Sequence, residues 1–294
     1  MGRSLKQIKR RIKSVENTEK ITRAMEMVSV SKLRGVQNLL AANRGYFQRI
    51  DALLSHVLLS CEEFEHPLLK EKKEKGDIAL CVVTSDNGLC GVYNGSVIKL
   101  VNHFIEKNPD KRFNVIPVGK RGFSYFKRKN FKMPHSVVGI HGRFSAEMSD
   151  ELAGKLLAIF GDAGISEVYV AYTHFESVAR HKPVIEKLLH IDPYARVLDE
   201  DGKKKKRMDF SFEPKREMIL EKLIPEYLKA KMRLIMVESL IAEHASRMVA
   251  MKTATRNAKE LKDKLVMLRN KTRQTLITKD VIEIISSYVV LKSE

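Results

Sequence analysis

The chain is 294 residues long and carries 54 Lys and Arg against 36 Asp and Glu, a formal charge of +18 that draws it toward polyanions. It holds no apolar run of the roughly 18 residues that a membrane-spanning helix needs, and no apolar signal core follows Met1, so an unexported chain is expected. Its three cysteines, Cys61, Cys81 and Cys90, lack metal-ligand spacing and predict reduced thiols in a cytoplasmic setting.

Residues 1–66 read as the N-terminal helix of a coiled coil. Leu5, Ile8, Ile12 and Val15, and later Val36, Leu40, Asn43, Phe47, Ile50, Leu54, Val57 and Cys61, alternate by three and four residues. Between them, Ile21–Leu33 offers Met, Val, Ala and Ser rather than Leu, which suits a seam that must approach other surfaces closely. The charged segment 67–76 reads as a linker.

Residues 77–195 alternate strand and helix patterns, which argues for a Rossmann-like α/β domain. Strands are expected at Asp77–Asp86, Phe113–Val118, Ser136–Ile140 and Glu167–Phe175, with an added edge strand at Pro183–Ile191. Helices are expected at Ser96–Lys107, Arg121–Lys129 and Ser145–Phe160, the last beginning near an N-cap serine.

The loop DNGLCG follows the first strand, where doubly wound sheets bind phosphates, but it matches neither G-x-G-x-x-G nor the P-loop. Cys90 as a nucleophile would need a base, and nothing in the spacing of His103, His135, His141 or His174 pairs one with it. Asp86 and Asp150 form no recognisable acid pair. No catalytic residue, cofactor or metal is therefore expected.

Residues 196–213 form a basic loop containing Lys203–Arg207, and residues 214–294 read as the C-terminal helix. Leu234, Val237, Ile241, His244, Met248, Met251, Thr255 and Ala258 form a heptad seam. It is expected to shift phase after Ala258 and resume as Leu261, Leu265, Leu268, Thr272 and Thr275. From Pro225 to Leu291 an unbroken helix would span about 100 Å. A helix that long needs a partner, because most helix stability in water comes from burying an apolar stripe. The expected fold is α+β overall: a long antiparallel coiled coil of the two terminal helices, with the α/β domain inserted between them. Aromatic residues are not interleaved with the basic runs, which argues against nucleic acid.

Four segments carry a family resemblance: IKSVENTEKITRAMEMVSVSKL at residues 12–33, TSDNGLCG at 84–91, ESLIAEHASRMVAMKTATRNAKEL at 238–261 and NKTRQTLITKDVIEII at 270–285. The chain resembles gamma subunits of the rotary, ion-translocating ATP synthase. The resemblance implies a central rotor shaft that makes and breaks no bonds itself. It would turn inside alternating alpha and beta subunits, dock the small epsilon subunit and rest on the membrane ring of ion-carrying subunits. The setting it implies is peripheral, on the cytoplasmic face of a bacterial cell membrane.

The resemblance also places Met25 against the lever region of beta, and Arg247 and Gln274 against its catch loop. By pattern alone, Arg247 and Gln274 read as solvated helix surface. The stretch FSFEP at residues 210–214 resembles the foot that meets the ring, implicating Phe210, Phe212 and Glu213. Arg269 stands where relatives usually have tyrosine, and the ending SSYVVLKSE departs from their small-residue tip.

Overall fold

A computed structural model describes residues 5–60, 66–69, 76–162, 164–193 and 216–292. The elements in chain order are α1 (Leu5–Leu59), β1 (Asp77–Val83), α2 (Tyr93–Glu106), β2 (Phe113–Val118), α3 (Lys120–Arg128), α4 (Ala146–Gly161), β3 (Ile165–Phe175), β4 (His181–Leu189) and α5 (Arg216–Lys292). Two compact units result: Val30–Arg247, and a second formed by the N-terminal residues up to Ser29 with those from Met248 onward.

The larger unit is built on a four-stranded mixed sheet of order β2-β1-β3-β4. β1 pairs in parallel with β2 and β3, while β4 returns antiparallel to β3. Central β1 is apolar on both faces, as a strand covered from both sides must be. Leu80 and Val82 face α2 and α3 with Val97, Val101 and Phe126. Ala79, Cys81 and Val83 face the opposite core, which gathers Leu54 and Leu58 of α1, Leu152 and Leu156 of α4, and Ile224, Leu228 and Met232 of α5. Each fully buried aliphatic side chain contributes about 1.5–3 kcal/mol.

The strand expected at 136–140 is absent. That segment touches β2 through one isolated parallel bridge, Val118 with Val137, and a second bridge joins Asn114 to Lys132 just before it. Pro134 has no N–H to give a ladder, and Gly139 turns the chain away at φ +86. α4 begins where its cap predicts, the Ser145 hydroxyl accepting from the Met148 N–H at 3.2 Å. α2 starts three residues earlier than expected, because Tyr93 is buried and joins the core.

The smaller unit pairs the start of α1 with the later part of α5. Ile8 and Ile12 pack with Leu265, and the Glu19 carboxylate meets Lys262 Nζ at 2.7 Å. The Thr22 and Thr255 hydroxyls lie 2.8 Å apart. Rising numbers on α5 meet falling numbers on α1, so the pairing is antiparallel.

The phase shift expected after Ala258 does not occur. Met251, Ala258 and Leu265 are buried and Thr255, Lys262, Arg269 and Thr272 half-buried, a heptad that continues unbroken. Leu261 and Leu268 are 40% and 41% exposed. The inward position that leucine was expected to fill is taken by Lys262, which remains there because Glu19 supplies its counter-charge.

Candidate functional site

Residues 234–247 of α5 are buried on every side, inserted between α1 and the sheet. A helix so enclosed is ordinarily apolar all round. This one carries Glu238, Ser239, Glu243, His244, Ser246 and Arg247, and burying such groups is tolerated only when they are partnered.

Partners come from α1, β3, β4 and α4. Glu238, 2% exposed, accepts from Arg44 Nη2 of α1 at 2.7 Å and meets His174 Nδ1 of β3 at 2.6 Å. Arg44 also donates to the Phe175 carbonyl at 2.9 Å, so one guanidinium and one carboxylate join both helices to the sheet. Ser246 pairs with His181 Nε2 at 2.8 Å, and Arg233 forks onto the Asp150 carboxylate of α4.

Arg247 closes the cluster at the carboxyl end of β1. Its Nη2 donates to Glu243 at 2.6 Å, and its Nε and Nη2 each lie 3.4 Å from the Gly88 carbonyl in the DNGLCG loop. At 8% exposure it is an interior clamp, which corrects the expectation of a solvated position. Burial pushes the Glu243 carboxyl up against the pull of Arg247. Burial, with Arg247 and Lys32 nearby, holds the His244 imidazole down at about 4.

The loop itself is a structural joint. Burial opposes the charge of Asp86, but the backbone N–H groups of Lys120, Gly139 and His141 donate to its carboxylate at 2.9, 3.1 and 2.7 Å and hold its carboxyl below the usual range. Gly119 sits at φ +92 against β1, where a Cβ would lie 2.2 Å from the Thr84 carbonyl oxygen. Cys90 is buried with Asn94 Nδ2 at 3.1 Å and Ser85 Oγ at 3.7 Å, neither of them a base that could activate it. Leu89 and Val92, 61% and 74% exposed, project from the same turn.

Of the residues singled out by resemblance, Met25 is half-buried and Gln274 exposed, both in the smaller unit, while Arg247 lies in the larger one. Phe210, Phe212 and Glu213 lie outside the described residues, as do Cys61 and Lys203–Arg207. Among the described residues no group of three or more His, Cys, Asp or Glu could hold a metal ion, and no helix is long and apolar enough to cross a membrane. The sequence reading missed Glu238, Glu243 and Arg44. The available signal was a set of acids inside the otherwise apolar stretch LIMVESLIAEHA.

The fold and these bonds define a helical scaffold whose inserted α/β domain spends its buried polar groups on fastening helices to a sheet. The ATP synthase family matches residues 4–291. The ATP synthase gamma chain of Heliobacterium modesticaldum is 34% identical over 289 residues, covering 98% of this chain and 99% of the relative. That of Alkaliphilus metalliredigens is 35% identical over 295 residues, covering 99% and 100%. The central stalk of the Tetrahymena thermophila mitochondrial ATP synthase, solved with its c-ring, is similar with a TM-score of 0.59 at 26% identity, covering 80% of this chain and 99% of that one. A rotor chain of the Euglena gracilis mitochondrial enzyme shares the fold with a TM-score of 0.66 at 18% identity, covering 93% and 99%. The chain belongs to the ATP synthase gamma chain family, whose members are central-stalk subunits.

Proposed function

We propose that this chain is the rotor shaft of an ion-translocating ATP synthase, carrying rotation of a membrane ring to the catalytic sites of beta subunits during ATP synthesis or hydrolysis. The observation that carries this reading is the cross-link through Arg44, Glu238 and His174, which ties α1, α5 and β3 together with bonds of 2.7 and 2.6 Å. Torque applied to the inserted domain reaches both helices only through connections that do not slip.

In this reading the partners are the alpha and beta subunits, the epsilon subunit and the ring of ion-carrying subunits, at the cytoplasmic face of a bacterial membrane. Met25 and Gln274 meet beta directly. Arg247, engaged with Gly88 and Glu243, acts on beta through the loop it holds, whose Leu89 and Val92 are exposed. Phe210, Phe212 and Glu213 form the foot on the ring.

Capture of the tagged chain from solubilised membranes should retrieve nucleotide-binding alpha and beta subunits. In that complex R247A/Q274A should slow hydrolysis by about tenfold, the equivalent of one lost charged contact per catalytic step. Unchanged turnover rejects the assigned contacts, and failure to retrieve the subunits rejects the shaft itself.

A further inference from the structure

Three segments of the larger unit bring basic side chains to one corner of the sheet. α2 ends at Glu106 and leads through Lys107 to Arg112, whose carbonyl accepts from the Ile78 N–H at the start of β1, 2.8 Å away. α3 runs the same way and stops at Lys127, Arg128 and Lys129. The chain then folds back so that Lys132 bridges to Asn114, its carbonyl accepting from the Val115 N–H at 2.9 Å. Lys107, Arg112, Lys127, Arg128, Lys129 and Lys132 are all exposed.

Among the described residues none of the six forms an ion pair. The nearby acids are Glu106, Asp110 and Asp77, and Asp77 is engaged by Asn114 Nδ2 at 3.2 Å. Among the described residues the corner also lacks an exposed large apolar residue. Protein interfaces have an apolar centre inside a polar rim, and single-stranded nucleic acid calls for stacking platforms. A field of long cationic side chains with neither feature fits a fluid anionic surface.

The corner lies at the amino ends of the parallel strands. The same end holds the last turns of α1 and the first of α5, where Leu58, Leu69 and Leu220 share a core with Leu189, and where the Ile191 N–H donates to the Leu68 carbonyl at 2.9 Å. Arg247 and Gly88 mark the opposite end. The foot segment at 210–214 immediately precedes α5, so on the shaft reading, from which this inference takes its orientation, the corner faces the membrane.

We propose that this corner binds the headgroups of anionic phospholipids. A basic side chain near an anionic surface contributes about fivefold in affinity, so three together contribute roughly a hundredfold. The full-length chain should bind vesicles of equimolar phosphatidylglycerol and phosphatidylcholine, and K127Q/R128Q/K129Q should lose about a hundredfold of that affinity. The single variants K127Q and K129Q should each lose about fivefold and remain interpretable if the triple variant folds poorly. K6Q/K9Q/K13Q removes as much charge from exposed positions of α1 and should lose no more than about fivefold. Equal losses in the two triple variants overturn the proposal, since net charge alone then explains binding. Hydrolysis by the detergent-solubilised complex reads shaft function without lipid charge, and K127Q/R128Q/K129Q should leave it unchanged. A loss there marks a protein contact at the corner and also overturns the lipid assignment.

Discussion

The bonds around Glu238 predict an asymmetry between two substitutions that remove the same ion pair. R44A leaves a carboxylate that is 3% exposed facing only His174, and it deprives the Phe175 carbonyl of its 2.9 Å donor. Breaking a buried pair from the side that strands a charge costs about 3–5 kcal/mol, and the partial exposure of Arg44 places this case at the lower end, about 3 kcal/mol. E238L removes the buried charge instead. The Arg44 and His174 side chains, 38% and 39% exposed, can turn to water, and leucine fills part of the vacated volume beside the apolar neighbours Val237 and Ile241. The expected cost is about 1 kcal/mol.

Thermal unfolding followed by far-ultraviolet circular dichroism separates the two. For a unit spanning Val30–Arg247, about 1 kcal/mol moves the midpoint by roughly 2–4 °C, so R44A should melt about 6–12 °C below the parent and E238L about 2–4 °C below. If E238L costs as much as R44A, the carboxylate is itself a net stabiliser and the desolvation argument fails. If R44A costs nothing, the cross-link is not a fastening at all.

Two further outcomes follow from the same end of the sheet. His244 has a folded pKa of about 4 against an ordinary 6.5, so its contribution to stability is present above pH 6.5 and is lost as pH falls toward 4, about 3 kcal/mol in total; H244Q should flatten that stretch of the stability profile measured by urea unfolding, and parallel profiles would refute the assignment. The raised Glu243 carboxyl acts with the opposite sign, favouring the folded state as pH falls, so the parent curve is shallower than His244 alone would make it. G119A combines a left-handed backbone with a Cβ 2.2 Å from the Thr84 oxygen and should cost about 3 kcal/mol, read as a lower melting temperature; a cost under about 1 kcal/mol would show that β1 and the α3 turn are free to separate.

The helical seams were legible because a heptad repeats itself: Ile8, Ile12, Val36, Leu40, Leu54 and Val57 are all buried where the alternation places them. The sheet was legible in the continuous Val- and Ile-rich runs of β1, β2 and β3, whereas the similar run at 136–140, interrupted by Gly139, forms no strand. Apart from the missing 136–140 strand, the failures share one cause, which is polar atoms placed inside. Lys262 holds a seam position that the pattern gives to Leu261, and Arg247 is enclosed although its side chain reads as a surface residue. Composition assigns charge to solvent, and only the position of a partner such as Glu19, Gly88 or Glu243, distant in sequence or set by helix rotation, reverses that assignment.

Why α5 accepts this burden follows from what an apolar seam cannot do. A stripe of leucines sliding by one heptad against its partner loses little, since each knob finds an equivalent hole. Glu238 has no equivalent place: a slip of one heptad carries it about 10 Å along the helix axis, away from both Arg44 and His174, and leaves a charge buried without a partner. Arg247 fixes rotation about the axis in the same way, because its guanidinium reaches the Gly88 carbonyl from one face of α5 alone. Buried ion pairs add little stability beyond what well-packed hydrocarbon would give, but they make misalignment expensive. For a subunit that carries torque between its ends, resistance to slipping matters more than depth of the folding minimum, and among the described residues it is this segment of α5 that holds the buried charges Glu238, Glu243 and Arg247.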